Sequence, residues 1–169
     1  IFKQSLKDNG RTFTQQFVAL PGKSEHQTGL AIDLGLKKES IDFIRPDFPY
    51  IGICQQFREK SVPYGFIERY PREKEHITGI AHEPWHFRYV GTPHAEIMRE
   101  YHFCLEEYID FLKRFSQDQP YTFYKDSQEI QIFYLKADTE SVSLEVAEDG
   151  SLSVSGNNVD GYIITEWRG

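Results

Sequence analysis

The chain has 169 residues, of which 39% are hydrophobic, 15% aromatic and 27% charged; thirteen Phe, ten Tyr and two Trp supply ample apolar volume for a packed core, so wholesale disorder is excluded. With 19 basic against 26 acidic residues the formal net charge is -7, which argues against non-specific nucleic-acid binding and against a polybasic attachment to anionic lipid. No run reaches the roughly 20 apolar residues of a bilayer span, and the opening IFKQSLKDNG lacks the order of a signal peptide, so the expectation is a soluble, cytoplasmic chain without a membrane segment.

In chain order, residues 1–20 read as a helix or turn followed by an extended TFTQQFVAL, closed by Pro21 and Gly22. LAIDLGL, residues 30–36, is an apolar run around one acid and predicts a buried strand whose Asp33 must be paired or bound to a metal. After the loop carrying Pro46 and Pro49, the spacing of Ile51, Ile53, Cys54 and Phe57 predicts a helix. YGFIERY and EPWHFRYVG predict two strands, rich in aromatic and β-branched residues. Residues 93–116 predict one helix, with Pro93 near its first position and apolar residues from Ile97 to Leu112 on one face. Beyond Pro120, YTFYK, EIQIFYLK, SVSLEVA, SLSVS and GYIITEW alternate at period two, with turns at Asp149-Gly150 and Gly156-Asn157-Asn158, and predict a small antiparallel β-module of four or five strands. Cys54 and Cys104 are too few for a disulfide framework and read as buried thiols.

Two constellations compete for His86. H-E-P-W-H, residues 82–86, satisfies the H-E-x-x-H pattern of helical zinc proteases, but that chemistry needs both His on one helical face. Pro84 inside the motif and the strand-forming WHFRYV after it oppose a helix, which leaves His82 a supporting or surface role. The second joins SEHQTGLAID, residues 24–33, to EPWH, residues 83–86. His26, Asp33 and His86 then supply three N/O ligands and leave the fourth position of a tetrahedral Zn²⁺ open. Strict alternation turns Glu83 away from His86, so this reading requires a bulge or turn at Pro84 that brings the carboxylate back as a general base. Each residue alone also fits a plainer role, Asp33 as a salt-bridged acid and His86 as a hydrogen-bonded core residue.

SEHQTGLAID and GIAHEPWHFRYVG, with YGFIERYP between them, closely resemble the S-x-H-x-x-G-x-A-x-D … E-x-x-W-H signature of the LAS-type zinc peptidases, and in particular the VanY and VanXY D,D-carboxypeptidases and D,D-dipeptidases of vancomycin resistance. The likeness runs from about Leu6 to the LEEYIDFLK helix, and SGNNVDGYIIT resembles the C-terminal extension of some VanY-like members. It implies an α+β fold: a zinc peptidase core with a central antiparallel sheet flanked by helices over residues 1–118, and a small C-terminal antiparallel β-module over 119–169. It implies one Zn²⁺ held by His26, Asp33 and His86, with Glu83 as the base that deprotonates the attacking water and protonates the departing amine. Ser24 matches a serine that contacts the dipeptide, and Trp85 either walls the pocket or packs beneath it. The implied substrate is D-Ala-D-Ala or the terminal D-Ala of a peptidoglycan precursor; for a phosphate-bearing precursor Arg69, Arg72 and Arg88 are the basic residues to inspect, and residues 37–49 are a plausible selector loop. Related alternatives are a peptidase of another peptidoglycan bond and a zinc-stabilised binding module without turnover. The family's G-Y-R-type arginine segment has no match between Ile1 and Ser24, where Arg11 is the only arginine. With Ile1 opening the chain, the expectation is that the family's N-terminal part is missing here or that the domain is inactive.

Overall fold

The computed structural model describes residues 1–138, 141, 144 and 150–168. The chain divides into two compact units, Ile1–Glu106 and Glu107–Gly169.

The first unit opens with α1 (Phe2–Phe17), which is helical where an extended segment was expected. Gly10 adopts φ 79 inside it and kinks the axis, a conformation open to glycine. The Thr14 hydroxyl then donates to the Gly10 carbonyl at 2.8 Å and meets the buried Ser5 hydroxyl at 2.9 Å. Past the kink Phe13 and Phe17, one turn apart, bring their rings to 4.9 Å, an i,i+4 pairing that a strand would not offer.

Three strands, β1 (Ala31–Asp33), β2 (Phe66–Tyr70) and β3 (Glu83–Tyr89), form an antiparallel sheet in the order β1-β3-β2. The LAIDLGL segment is shorter and less buried than its hydropathy predicts: of its strand only Ala31 is buried, and Ile32 is 39% exposed. Cross-strand partners share a face. Asp33 lies opposite His86 and Ala31 opposite Arg88, while Ile32 and Glu68 lie opposite Phe87 on the other side. That other side holds the core, where fully buried Phe87 meets Phe48 and Phe57 with centroids at 5.5 and 4.9 Å; Cys54 and Trp85 complete the cluster.

The helices of this unit are α2 (Gly52–Ser61), the single turn α3 (Glu75–Thr78) and α4 (His94–Tyr101). The predicted helix over 93–116 is two helices. His102 takes the left-handed conformation at φ 54 and closes α4, and the Phe103 amide bonds back to Met98; α5 (Leu105–Leu112) restarts beyond it. No glycine marks this stop, which is why periodicity ran through it. Both cysteines are buried free thiols.

The second unit carries β4 (Tyr121–Lys125), β5 (Gln128–Lys136), β6 (Ser151–Gly156) and β7 (Gly161–Arg168), all antiparallel in the order β4-β5-β7-β6. Ile130, Ile132, Phe133, Ile163 and Ile164 are buried, and Phe111, Phe115 and Tyr121 form a ring cluster. Asn157 shapes the β6–β7 turn by accepting three amides, from Val159, Asp160 and Gly161. Most of the expected SVSLEVA strand and the Asp149-Gly150 turn lie outside the described residues.

Candidate active site

The 3-10 turn Glu25–Thr28 delivers the first half of the site. Gly29 caps it at φ 74 and reverses the chain, a step a side chain would strain, so His26 returns over the start of β1. The ring nitrogen Nδ1 of His26 lies 3.2 Å from the Ala31 carbonyl. A carbonyl can only accept, so Nδ1 donates there, and Nε2 is the ring nitrogen left to face a metal. That Nε2 faces Asp33, 3.4 Å from Oδ2.

The second half comes from β3. Between the pairs Glu68–Phe87 and Tyr70–Glu83, β2 advances two residues and β3 four. This irregularity contains Pro84, where the register was expected to break, and it lets Glu83 and His86 face the same side. His86 Nδ1 is 3.1 Å from Asp33 Oδ1 and 3.5 Å from Glu83 Oε2.

His26, Asp33 and His86 each bring one ligand atom to within 4.8 Å of the others. Around a tetrahedral zinc with bonds of about 2.1 Å, neighbouring ligand atoms lie roughly 3.3 Å apart. His26 Nε2 lies 3.4 Å from Asp33 Oδ2 and His86 Nδ1 lies 3.1 Å from Asp33 Oδ1, separations of that order, so the donor types and their spacing are compatible with zinc. The carboxylate of Asp33 and the ring of His26 are partly exposed, at 31% and 41%, whereas the His86 side chain is 6% exposed. The set is anchored from below and open from above, as a site that admits water and substrate must be.

Electrostatics separate the acids. Burial opposes the charged form of Asp33, but His26 and His86 outweigh it and bring its carboxyl down to about 2. Glu83, 5% exposed, goes the other way: burial, with the charges of Asp33 and Glu25, pushes it up to about 8 despite the two histidines. Burial would lower His86, yet Asp33, Glu25 and Glu83 raise it to about 9. Glu83 thus stands buried, with raised proton affinity, 3.5 Å from His86.

Glu25, within the motif but given no role by sequence reasoning, lies part-buried beside His86. Its Oε1 accepts from Arg69 Nε and the Tyr70 hydroxyl, both at 2.9 Å, and its Oε2 accepts from Arg88 Nη1 at 2.9 Å. Arg69 also makes a bidentate pair with Glu106 at 2.9 and 2.6 Å. Burial opposes the Glu25 charge, but His86, Arg69 and Arg88 hold its carboxyl far below the ordinary range. Arg69 and Arg88 are therefore committed to the part-buried acids Glu25 and Glu106 rather than poised for a phosphate; Arg72, exposed, lies beside His82. On β3, Arg88 shares the His86 face.

His82 is not in the cluster. Its Nδ1 lies 3.2 Å from Arg72 Nη2, its Nε2 is 2.7 Å from the Tyr50 hydroxyl, and its backbone belongs to no helix, so the helical H-E-x-x-H geometry is not formed. Tyr50 in turn donates to Glu68. Sequence reasoning also missed Arg58, whose guanidinium binds Glu68 and the carbonyls of Phe48, Pro49 and Pro84 at 2.6–2.8 Å. A cavity of about 170 Å³ opens on the cluster, and Ser24, Glu83, Phe43 and Ile44 line it. Trp85 belongs to the core and also lines that cavity, so packing and wall are both its roles.

A three-stranded antiparallel sheet thus brings together two histidines and an aspartate that could hold a metal ion, with a buried glutamate beside them. The model of the VanY D-alanyl-D-alanine carboxypeptidase family matches residues 1–92, and the chain belongs to that family. It is 54% identical over 113 residues to the bifunctional D-Ala-D-Ala dipeptidase and D-Ala-D-Ala carboxypeptidase VanXYC of Enterococcus gallinarum, covering 66% of this chain and 60% of the relative. It is 40% identical over 152 residues to a D-alanyl-D-alanine carboxypeptidase of Enterococcus faecium, covering 89% of this chain and 46% of the relative. The chain thus spans about half to three fifths of these relatives. Among solved structures, the vancomycin resistance D,D-dipeptidase VanXYg in complex with a D-Ala-D-Ala phosphinate analog superposes with a TM-score of 0.96 at 55% identity, over 99% of this chain and 67% of that one. VanYB in complex with D-Ala-D-Ala gives 0.51 at 32% identity, over 66% and 61%. Among the described residues no helix is long and apolar enough to cross a membrane.

Proposed function

We propose that this chain carries the zinc site of a D,D-peptidase that hydrolyses D-Ala-ended peptides, D-Ala-D-Ala or the terminal D-Ala of a peptidoglycan precursor, with His26, Asp33 and His86 as metal ligands and Glu83 as general base. The observation that carries this reading is the convergence of His26 Nε2, Asp33 and His86 Nδ1, with the Glu83 carboxylate 3.5 Å from His86 and almost fully buried. Zinc, when bound, supplies a Lewis acid that polarises the scissile carbonyl and acidifies water. The residues of the chain do the rest. Glu83 takes the proton of the attacking water at a carboxylate oxygen and returns it to the departing amine of D-Ala. The bulge around Pro84 fixes the distance over which that proton moves. Ser24 and Trp85, on the cavity wall, confine the dipeptide, and Phe43 and Ile44 bring the 37–49 segment to the same wall, where it selects between free dipeptide and longer precursor.

The names of the relatives support the substrate, and a glutamate kept buried beside the ligands has no use in a non-catalytic zinc module. The test is to purify the chain, measure its zinc content and assay D-Ala release from D-Ala-D-Ala and from a pentapeptide precursor. Glu83→Gln is expected to keep the metal and lose turnover; Asp33→Ala is expected to lose the metal and His82→Ala to retain it. Turnover surviving in Glu83→Gln refutes the assignment of the base.

A further inference from the structure

We infer that Glu25 is a positioning residue that holds the His86 ring with Nδ1 turned to the metal, by accepting the hydrogen of Nε2. The inference rests on the proposed zinc site. An ionised carboxylate offers about four acceptor positions, two on each oxygen. Oε1 of Glu25 has both taken, by Arg69 and Tyr70, and Oε2 has one taken, by Arg88. The remaining position is on Oε2, and Oε2 is the atom 3.8 Å from His86 Nε2. That nitrogen is buried and makes no hydrogen bond in the structure, which is costly for a polar atom.

The two shortfalls answer each other. An imidazole that ligates through Nδ1 carries its hydrogen on Nε2 and needs an acceptor there. A closure of less than 1 Å brings Nε2 and Oε2 to ordinary hydrogen-bond length. Arg69 and Arg88 keep Glu25 ionised and fix its plane, and the Arg69–Glu106 pair fixes Arg69 in turn. Tyr70, 5.0 Å from the His86 ring centroid, limits its rotation. Glu25 therefore serves His86 while its neighbour His26 serves the metal directly, from the same 3-10 turn.

The test measures zinc affinity by competition with a chromophoric chelator and reads the His86 ring by ¹⁵N NMR in the zinc-loaded protein. In the wild type the His86 Nε2 carries a slowly exchanging, downfield proton. In Glu25→Gln, which keeps the shape and one acceptor, zinc affinity falls about 10-fold; in Glu25→Ala it falls about 100-fold, and the Nε2 proton exchanges rapidly. The wild-type spectrum needs no variant to fold: a zinc-loaded His86 with Nε2 unprotonated, or protonated and exchanging as fast as free imidazole, overturns the inference. Unchanged affinity and an unchanged ring proton in both variants overturn it too while leaving the zinc site intact. A wild type that binds no zinc overturns the proposed function itself, and the inference with it.

Discussion

Replacing Arg58 with methionine removes the donor set that ties the 48–49 segment to α2, to β2 and to the Pro84 step of β3. The guanidinium is 9% exposed; Nε donates to Glu68 Oε2 at 2.8 Å, and the terminal nitrogens donate to Phe48, Pro49 and Pro84 carbonyls at 2.6, 2.8 and 2.8 Å. It also stacks 3.8 Å above the Tyr50 ring. Methionine keeps much of the stem packing but strands three carbonyls and leaves the Glu68 carboxylate with the Tyr50 hydroxyl as its donor. Breaking a buried ion pair costs about 3–5 kcal/mol, and the orphaned carbonyls would add about 1 kcal/mol each if water could not reach them; water at the exposed edge near Tyr50 recovers part, so a loss of about 4 kcal/mol is expected. Urea unfolding of wild type and Arg58→Met at pH 7 measures it. The double variant Arg58→Met/Glu68→Gln removes the carboxylate charge and is expected to recover about half. Because the Pro84 carbonyl directly follows Glu83, turnover of the folded fraction also falls. A loss below about 1 kcal/mol, or a double variant no more stable than the single, refutes the view of Arg58 as the clamp of this segment.

Phe87→Ala empties a fully buried position between Phe48 and Phe57 and is expected to cost about 3–5 kcal/mol in the same assay. Burial pushes the half-buried His94 imidazole at the start of α4 down to about 4. The unfolded chain, with an ordinary value near 6.5, takes up the proton first, so this group's contribution is complete above pH 6.5 and drains away between pH 6.5 and 4. Against His94→Gln the wild type is expected to lose about 2 kcal/mol across that window, and a difference that does not change with pH contradicts the burial argument. Exchanging residues 37–49 for the corresponding loop of a relative with a different preference is expected to shift the ratio of dipeptide to pentapeptide products at unchanged zinc content; an unchanged ratio removes the loop as the selector.

The site was legible because its signals are local. Metal-ligating residue types in fixed order, a glycine at a chain reversal and a proline inside a strand pattern all survive without knowledge of packing. What periodicity could not show was decided by neighbours. α1 continues past Gly10 because Phe13 and Phe17 pair and Thr14 bonds back to the kink, whereas TFTQQFVAL reads as extended by propensity. The split of α4 from α5 depends on His102 accepting a left-handed conformation without a glycine. Apolar character misled at β1, where Ile32 remains 39% exposed. Glu25 and Arg58 were invisible for another reason: their roles depend on partners 9 to 63 residues away, beyond the reach of helix and strand spacing rules.

Two residues of β2 opposing four of β3 also bear on what a short motif means. On a helix, positions i and i+3 share a side because of the 3.6-residue turn; here Glu83 and His86 share a side because the strand is interrupted. The same four-letter phrase E-x-x-H can thus be spelled by two unrelated backbones that bring an acid and an imidazole together on one side. Loss or gain of a single residue between them would leave the letters almost unchanged and turn one of the two groups away. For this fold the spacing is a count of backbone steps, and a length change at Pro84 or Trp85 is a harsher perturbation than most substitutions there.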